Sequence, residues 1–129
     1  MILVDSSVWI EFFRPGNFVD LESKAPFDEI VTCLPVIQEV LQGFQAEDAW
    51  RRARDAMIAM PIVESPLRLE VYQEAVALFR QARRTGFTVR SSVDCLIAAC
   101  ALRNDLEVLH IDRDFTALAR ISGLRQRQV

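Results

Sequence analysis

Several carboxylates stand inside or directly after apolar runs of the sequence, where charged side chains are unusual. They are Asp5, Glu39, Asp94, Asp112 and Asp114. Asp94 is the clearest example, because it is the only charged residue in 93–102 and the nearest basic residue is Arg90. Burying an unpaired carboxylate costs several kcal/mol, and clustered acids raise one another's pKa. A bound divalent cation would remove both penalties.

The ligand chemistry of such a cluster is that of hard oxygen donors. Carboxylates favour Mg²⁺ or Mn²⁺ over zinc, and His110 is the only histidine that could offer a competing nitrogen ligand. Carboxylate-bound Mg²⁺ keeps positions open for water and phosphate oxygens. Such an ion can activate water and stabilise a leaving oxygen. The acids therefore predict phosphodiester hydrolysis.

Each acid also has an ordinary structural interpretation. Asp5 and Asp112 could be helix N-caps, whose oxygens accept from free backbone N–H groups. Asp94 could close a capping box with Ser91. Glu39, at the rim of the apolar stripe of its helix, could simply be solvated. These needs are independent of one another, so they do not explain why all the acids would lie along one edge of a fold.

Apolar runs and turn residues divide the chain into alternating strands and helices. The predicted strands cover 1–4, 30–33, 62–63, 107–111 and the C-terminus. The predicted helices cover 8–13, capped by Ser6 and Ser7, then 35–43, 46–60, 67–85, 93–102 and a segment that begins near 114. In the longest helix, an apolar stripe at helical spacing is formed by Leu69, Tyr72, Val76 and Phe79. The alternation predicts βαβ units and an α/β fold with a parallel sheet between helices.

This topology explains why the acids should meet. In an open parallel sheet, the carboxyl ends of the strands and the amino ends of the following helices share one edge, where ligands bind. Asp5 and Asp112 directly follow strands, and Asp94 lies in the first turn of a helix. We therefore expect one acidic centre at this edge.

The composition is that of one folded domain, 1–129, with 51% hydrophobic and 26% charged residues. No run of about 20 uncharged apolar residues predicts a membrane span, and the start lacks the pattern of a signal peptide, so we expect a cytoplasmic protein. Cys33, Cys95 and Cys100 are expected to be buried free thiols. The net charge of −3 excludes a general basic field, so nucleic acid would need a local basic rim, for which Arg14, Arg90 and Arg113 are candidates.

Four segments together resemble the acidic motifs of PIN-domain nucleases, and most closely those of VapC toxins. They are ILVDSSVWI (2–10), VIQEVLQG (36–43), SVDCLIAA (92–99) and LHIDRDF (109–115). The resemblance covers nearly the whole chain in the order of the family. It implies a three-layer α/β/α fold with a central, mostly parallel sheet, and Mg²⁺- or Mn²⁺-dependent endonucleolytic cleavage of RNA. It also implies inhibition by a VapB-like antitoxin and a homodimer.

Carried over by position, Asp5, Glu39, Asp94 and Asp112 match the catalytic, metal-binding acids of the family. Asp114 matches the second acid of the last motif, and the choice between it and Asp112 as the fourth ligand stays open. Ser7 matches a hydroxyl residue near the metal, or is simply a residue at a helix start. His110 and Arg113 are expected to be a strand-end residue and a solvated residue.

The aromatic residues Trp9, Phe12, Phe13 and Phe18 exceed what one short helix needs for packing. We expect part of this group to be exposed and to receive an antitoxin helix or strand, with core packing as the alternative.

Two other functions are compatible with an acidic α/β fold. The first is a catalytically inactive PIN-fold binding module. The second is a Mg²⁺-binding phosphoacceptor signalling domain, which needs adjacent acids after the first strand and a late Lys. Here Asp5 stands alone after its strand and Lys24 is the only Lys, so this alternative is disfavoured.

Overall fold

Five short strands form one sheet in the computed structural model, which describes residues 1–17 and 19–129. The strands are β1 (Ile2–Val4), β2 (Ile30–Cys33), β3 (Ile62–Val63), β4 (Glu107–His110) and β5 (Arg125–Gln128). Their order is β3-β2-β1-β4-β5, and every neighbouring pair is parallel. The predicted strands and the parallel sheet are confirmed, and the central strand is β1, which Asp5 directly follows.

Seven α-helices connect these strands within the described residues. They are α1 (Ser6–Phe13), α2 (Leu21–Lys24), α3 (Leu34–Leu41), α4 (Glu47–Ala59), α5 (Leu69–Thr85), α6 (Ser92–Arg103) and α7 (Arg113–Arg120). The sheet flanked by these helices is the predicted three-layer α/β/α arrangement. Helix α1 begins earlier than predicted, because Asp5, and not Ser6 or Ser7, is its N-cap. The short α2 was not predicted, because its segment is polar and lacks apolar periodicity.

Helix α5 carries two apolar stripes, and they have different environments. The buried stripe consists of Val71, Ala75, Leu78 and Ala82. The stripe noted in the sequence, formed by Leu69, Tyr72, Val76 and Phe79, is exposed. Helix α5 packs mainly against α6, and its two small alanines allow a close approach of the helices. Gly86, with φ of +89°, ends α5 in the left-handed conformation that glycine adopts without strain.

The hydrophobic core lies between the sheet and the helices and includes the central strands. Leu3, Val4, Val108 and Leu109 are completely buried. The three cysteines are buried and unbridged, as predicted. Among the residues that the structure describes, no helix has the length and apolar character needed to cross a membrane.

Candidate metal centre

The predicted acids meet at the carboxyl edge of the sheet. Asp5 follows β1, Glu39 lies in α3, and Asp94 lies in the first turn of α6. Carboxylate oxygens of these three residues lie within 4.8 Å of one another. Asp112 and Asp114, at the start of α7, form a second group with Asp94 within the same 4.8 Å limit. Asp94 therefore belongs to both groups and joins them into one cluster.

Two carboxylate oxygens in this cluster are buried without a hydrogen-bond partner in the described part of the chain. They are Oδ1 of Asp5 and Oδ2 of Asp94, in residues that are only 1% and 4% exposed. Buried polar atoms in folded proteins are normally hydrogen-bonded. The cluster consists of carboxylates alone, which are the donors that hard divalent cations prefer. The unpartnered oxygens and the donor type both fit a divalent cation.

Asp5 uses its other oxygen to organise the start of α1. Its Oδ2 accepts hydrogen bonds from the backbone N–H of Ser7 at 3.1 Å and from the Ser7 hydroxyl at 2.5 Å. The Ser7 hydroxyl oxygen in turn accepts from the backbone N–H of Ile111 at 3.1 Å, just beyond β4. The N-cap interpretation of Asp5 is confirmed, and it leaves Oδ1 free for a ligand. Ser7 ties the ends of two neighbouring strands together.

Glu39 is held by a residue that the sequence did not indicate for this role. The Ser6 hydroxyl donates to Oε1 of Glu39 over 2.8 Å. Ser6 is buried at 7% exposure, although it stands in a helical first turn where a solvated serine would be ordinary. The only feature of the sequence that could have indicated this contact was the pair of adjacent serines close after a buried strand. Glu39 is therefore a positioned side chain and not a freely solvated one.

The capping-box interpretation of Asp94 is wrong. Ser91 is the N-cap of α6, but no side-chain hydrogen bond caps this helix. No ion pair between Asp94 and a basic side chain occurs in the described ranges. Burial, followed by the negative charges of Asp5 and Asp112, raises the pKa of Asp94 to about 9. Without a cation, this carboxyl holds its proton at neutral pH.

Burial and neighbouring negative charges also raise the pKa values of two other acids. Burial is the main cause that raises the pKa of Asp5, and the charge of Asp112 adds to it, against the hydrogen bonds from Ser7. Burial also raises the pKa of Glu39, and the charges of Asp5 and Asp112 contribute. A positive charge placed among these oxygens would lower all of these pKa values.

Asp112 and Asp114 each use one oxygen for the backbone. Oδ1 of Asp112 accepts from the N–H of Asp114 at 2.9 Å, which confirms it as the N-cap of α7. Oδ2 of Asp114 accepts from the N–H groups of Arg90 and Ser91 at 3.0 and 3.1 Å. Asp114 therefore anchors the segment that leads into α6, and both residues remain candidates for the fourth ligand.

The other residues singled out in the sequence lie as follows. His110 is a buried residue at the end of β4, and its Nε2 lies 2.6 Å from Oε1 of Gln126. Arg90 and Arg113 are exposed. Arg14 is also exposed and forms an ion pair with Glu11 at 3.2 Å.

The aromatic residues of α1 are only partly exposed. Trp9 is buried at 5% exposure, whereas Phe12 and Phe13 are half-buried against the core. Phe13 lies at a groove of about 280 Å³ that Ile10 and Phe44 also line. Phe18 lies outside the described residues. The predicted partial exposure is therefore found at Phe12 and Phe13, whereas Trp9 is part of the core.

Comparison with known proteins identifies the family. The PIN domain profile matches residues 2–121. Ribonuclease VapC11 of Mycobacterium tuberculosis is 35% identical over 130 residues, which cover 97% of this chain and 96% of that protein.

Solved structures share the fold at low sequence identity. VapBC2 from Rickettsia felis, bound to a DNA fragment from its promoter, superposes with a TM-score of 0.76 at 12% identity, covering 100% of this chain and 99% of the other. VapBC-5 from Mycobacterium tuberculosis gives 0.70 at 22% identity, covering 99% and 98%. The profile match and the VapC relative place the chain among nucleases and not among phosphoacceptor signalling domains. The chain belongs to the PIN-domain family and, within it, to the VapC ribonucleases.

Proposed function

We propose that this ribonuclease cleaves RNA with a divalent cation, Mg²⁺ or Mn²⁺, held by Asp5, Glu39, Asp94 and either Asp112 or Asp114. The observation that carries the proposal is the pair of buried, unpartnered oxygens, Oδ1 of Asp5 and Oδ2 of Asp94, inside a cluster of carboxylates. When bound, the cation supplies the positive charge that makes water a nucleophile and stabilises the leaving oxygen of a phosphodiester.

The residues of this chain prepare the centre for that chemistry. The hydroxyls of Ser7 and Ser6 orient Asp5 and Glu39, so the ligand oxygens are positioned before the cation arrives. Asp94 must release its carboxyl proton to act as a ligand, because burial and its acidic neighbours hold that proton at neutral pH. Cation binding is therefore coupled to proton release.

Two variants test the assignment of the acids. Purified Asp5→Asn and Glu39→Gln should lose Mg²⁺- or Mn²⁺-dependent cleavage of labelled RNA, while the exposed control Asp55→Asn cuts like the parent. Chelation by EDTA should stop the parent, and added Mg²⁺ or Mn²⁺ should restore it. Folded Asp5→Asn protein that cuts at the parent rate would contradict the assignment. A parent that cuts no RNA with either ion would instead favour the inactive binding module.

We also propose that the chain is the toxin of a toxin–antitoxin pair and is inhibited by a VapB-like antitoxin. The support is the family and the likeness to VapBC complexes. The proposed contact surface is the groove beside Ile10, Phe13 and Phe44. The double variant Ile10→Ser and Phe13→Ser should weaken binding of the antitoxin that the neighbouring gene encodes. Calorimetry on folded protein measures this affinity. Unchanged affinity would exclude this surface.

We propose that residues 1–129 act as one nuclease domain, because the sheet and its helices share one hydrophobic core. A homodimer is proposed from the family, and light scattering during size exclusion tests it. We propose a cytoplasmic location, since three free cysteines suit a reducing compartment.

A further inference from the structure

A cavity of about 160 Å³ opens directly beside the acid cluster. Its walls include Gln38 and Glu39 of α3, its C-cap Gln42, Tyr72 of α5, and Val93 and Leu96 of α6. Glu39 is shared between the cavity and the cluster. Tyr72, Val93 and Leu96 also line a wider cavity of about 330 Å³ between α5 and α6. The small cavity is therefore the inner end of a groove that leads to the carboxylates.

On the basis of the proposed ribonuclease function, we propose that this small cavity is a nucleobase subsite. It receives the base of a nucleotide next to the cleaved phosphate, with the ring of Tyr72 against the face of the base. The side-chain amides of Gln38 and Gln42 contact the polar edge of the base. The sequence did not point to a ligand role for either glutamine. By their contacts with the base, they determine where the RNA is cut.

The walls of the cavity have the chemistry of a base-binding site. Single-stranded RNA is recognised by stacking of its bases on aromatic side chains. Tyr72 is 47% exposed, and apolar side chains of α6 face it across the cavity. Whole small-molecule ligands occupy pockets of roughly 300–1,000 Å³, so a cavity of about 160 Å³ suits a single planar ring.

The amides at the rim are available to read the edge of that ring. Gln38 and Gln42 are exposed. Gln42 is the C-cap of α3, in helical conformation, so it lies one turn after Gln38 on the same face. In the described ranges, neither side-chain amide has a hydrogen-bond partner within the protein. Each amide offers two donors and one acceptor, which is the kind of group that distinguishes bases by their edges.

The charge of the protein also favours contacts with bases. The chain carries a net charge of −3, and the cleavage centre is itself a group of acids. Attraction of phosphates by basic residues is the usual source of affinity for nucleic acids, and the net charge of this chain does not add to it. Stacking and amide contacts supply affinity that does not depend on net charge.

The experiment compares cleavage positions in a pool of RNA oligonucleotides of random sequence, read by sequencing the cut ends. The parent should prefer one base at a position beside the cut. The double variant Gln38→Leu and Gln42→Leu should lose that preference and cut the preferred sequence about tenfold more slowly. The matched control Gln73→Leu, exposed on α5 and outside both cavities, should retain the preference.

A second variant tests the stacking contact. Tyr72→Ala should raise KM for the preferred oligonucleotide about tenfold with little change in kcat. Phe79→Ala, which changes only the wider cavity, should leave KM unchanged. Melting temperature and light scattering are measured for every variant, so that unfolding or a changed oligomeric state is recognised.

Three outcomes would overturn the subsite. The first is an unchanged base preference in folded Gln38→Leu and Gln42→Leu protein. The second is a Tyr72→Ala variant that dissociates into monomers and keeps the preference, because the groove would then hold a second copy of this chain. The third is a parent that cuts RNA with no base preference. These outcomes leave the ribonuclease function intact, whereas a parent that cuts no RNA contradicts both proposals.

Discussion

Replacing Asp94 by Asn tests whether the acid cluster destabilises the metal-free chain. Asn has nearly the same shape as a protonated Asp and, like it, carries no charge. The site is only 4% exposed, so solvent does little to screen it. We therefore expect Asp94→Asn to stabilise the metal-free protein while it abolishes RNA cleavage.

The size of this effect follows from the pKa of Asp94 in the two states. Its pKa rises from 3.8 to about 9 on folding, so between these pH values the folded chain binds a proton that the unfolded chain has released. The free energy of unfolding then falls with rising pH, by about 1.4 kcal/mol for each pH unit. At pH 7, the difference in protonation of Asp94 between the two states lowers the free energy of unfolding by about 4 kcal/mol. Asn does not titrate, so the gain in Asp94→Asn should vanish near pH 4 and approach that value at pH 7.

Urea denaturation in EDTA at several pH values between 5 and 8 measures this gain. Asp55→Asn is the control, because Asp55 is an exposed partner of a surface ion pair and such pairs contribute about 0–1 kcal/mol. Added Mg²⁺ should stabilise the parent and not Asp94→Asn. A gain that stays constant from pH 5 to 8, or a loss of stability at every pH, would refute the reasoning from the raised pKa.

Four further changes have defined outcomes. Thermal stabilisation by Mg²⁺ should be larger at pH 8 than at pH 6, because Asp94 must release its proton, and calorimetry in buffers of different ionisation enthalpy should detect that proton. Ser6→Ala removes the hydroxyl that holds Glu39, so it should slow RNA cleavage and lower the free energy of unfolding by about 1 kcal/mol in urea. Asp114→Ala leaves two backbone N–H groups without their acceptor, so it should cost about 2 kcal/mol or more by the same measurement. Asp112→Ala, which removes one such bond, should cost less.

Strands β1 to β4 could be predicted because each contains a short apolar run, whereas β5 consists of Arg and Gln alone and has no such run. Helix boundaries were less certain where two residues could cap the same helix. At α1, Ser6 and Ser7 were expected to cap, but Asp5 does so and both serines lie inside the helix. At α5, the sequence contains two apolar stripes, and periodicity alone does not decide which of them faces α6.

The meeting of the acids could be predicted because sheet topology brings strand ends and helix starts together. The contact between Ser6 and Glu39 could not, because it joins residues 33 positions apart and depends on how α1 packs on α3. The nucleobase cavity has the same origin. It is formed by side chains from three helices, and none of the individual segments contains a recognisable motif for it.

Asp5 and Asp112 can each cap a helix and still offer an oxygen to a ligand. A carboxylate has two oxygens, and a helix N-cap occupies one of them. Because the capping bond fixes the side chain, the other oxygen is held in one direction, as Oδ1 of Asp5 is. Asp114 likewise accepts from two backbone N–H groups with Oδ2 alone, so its other oxygen is not used by them. The helix starts therefore hold the acids in the arrangement that the proposed cation site needs, so capping and the proposed ligand role are compatible.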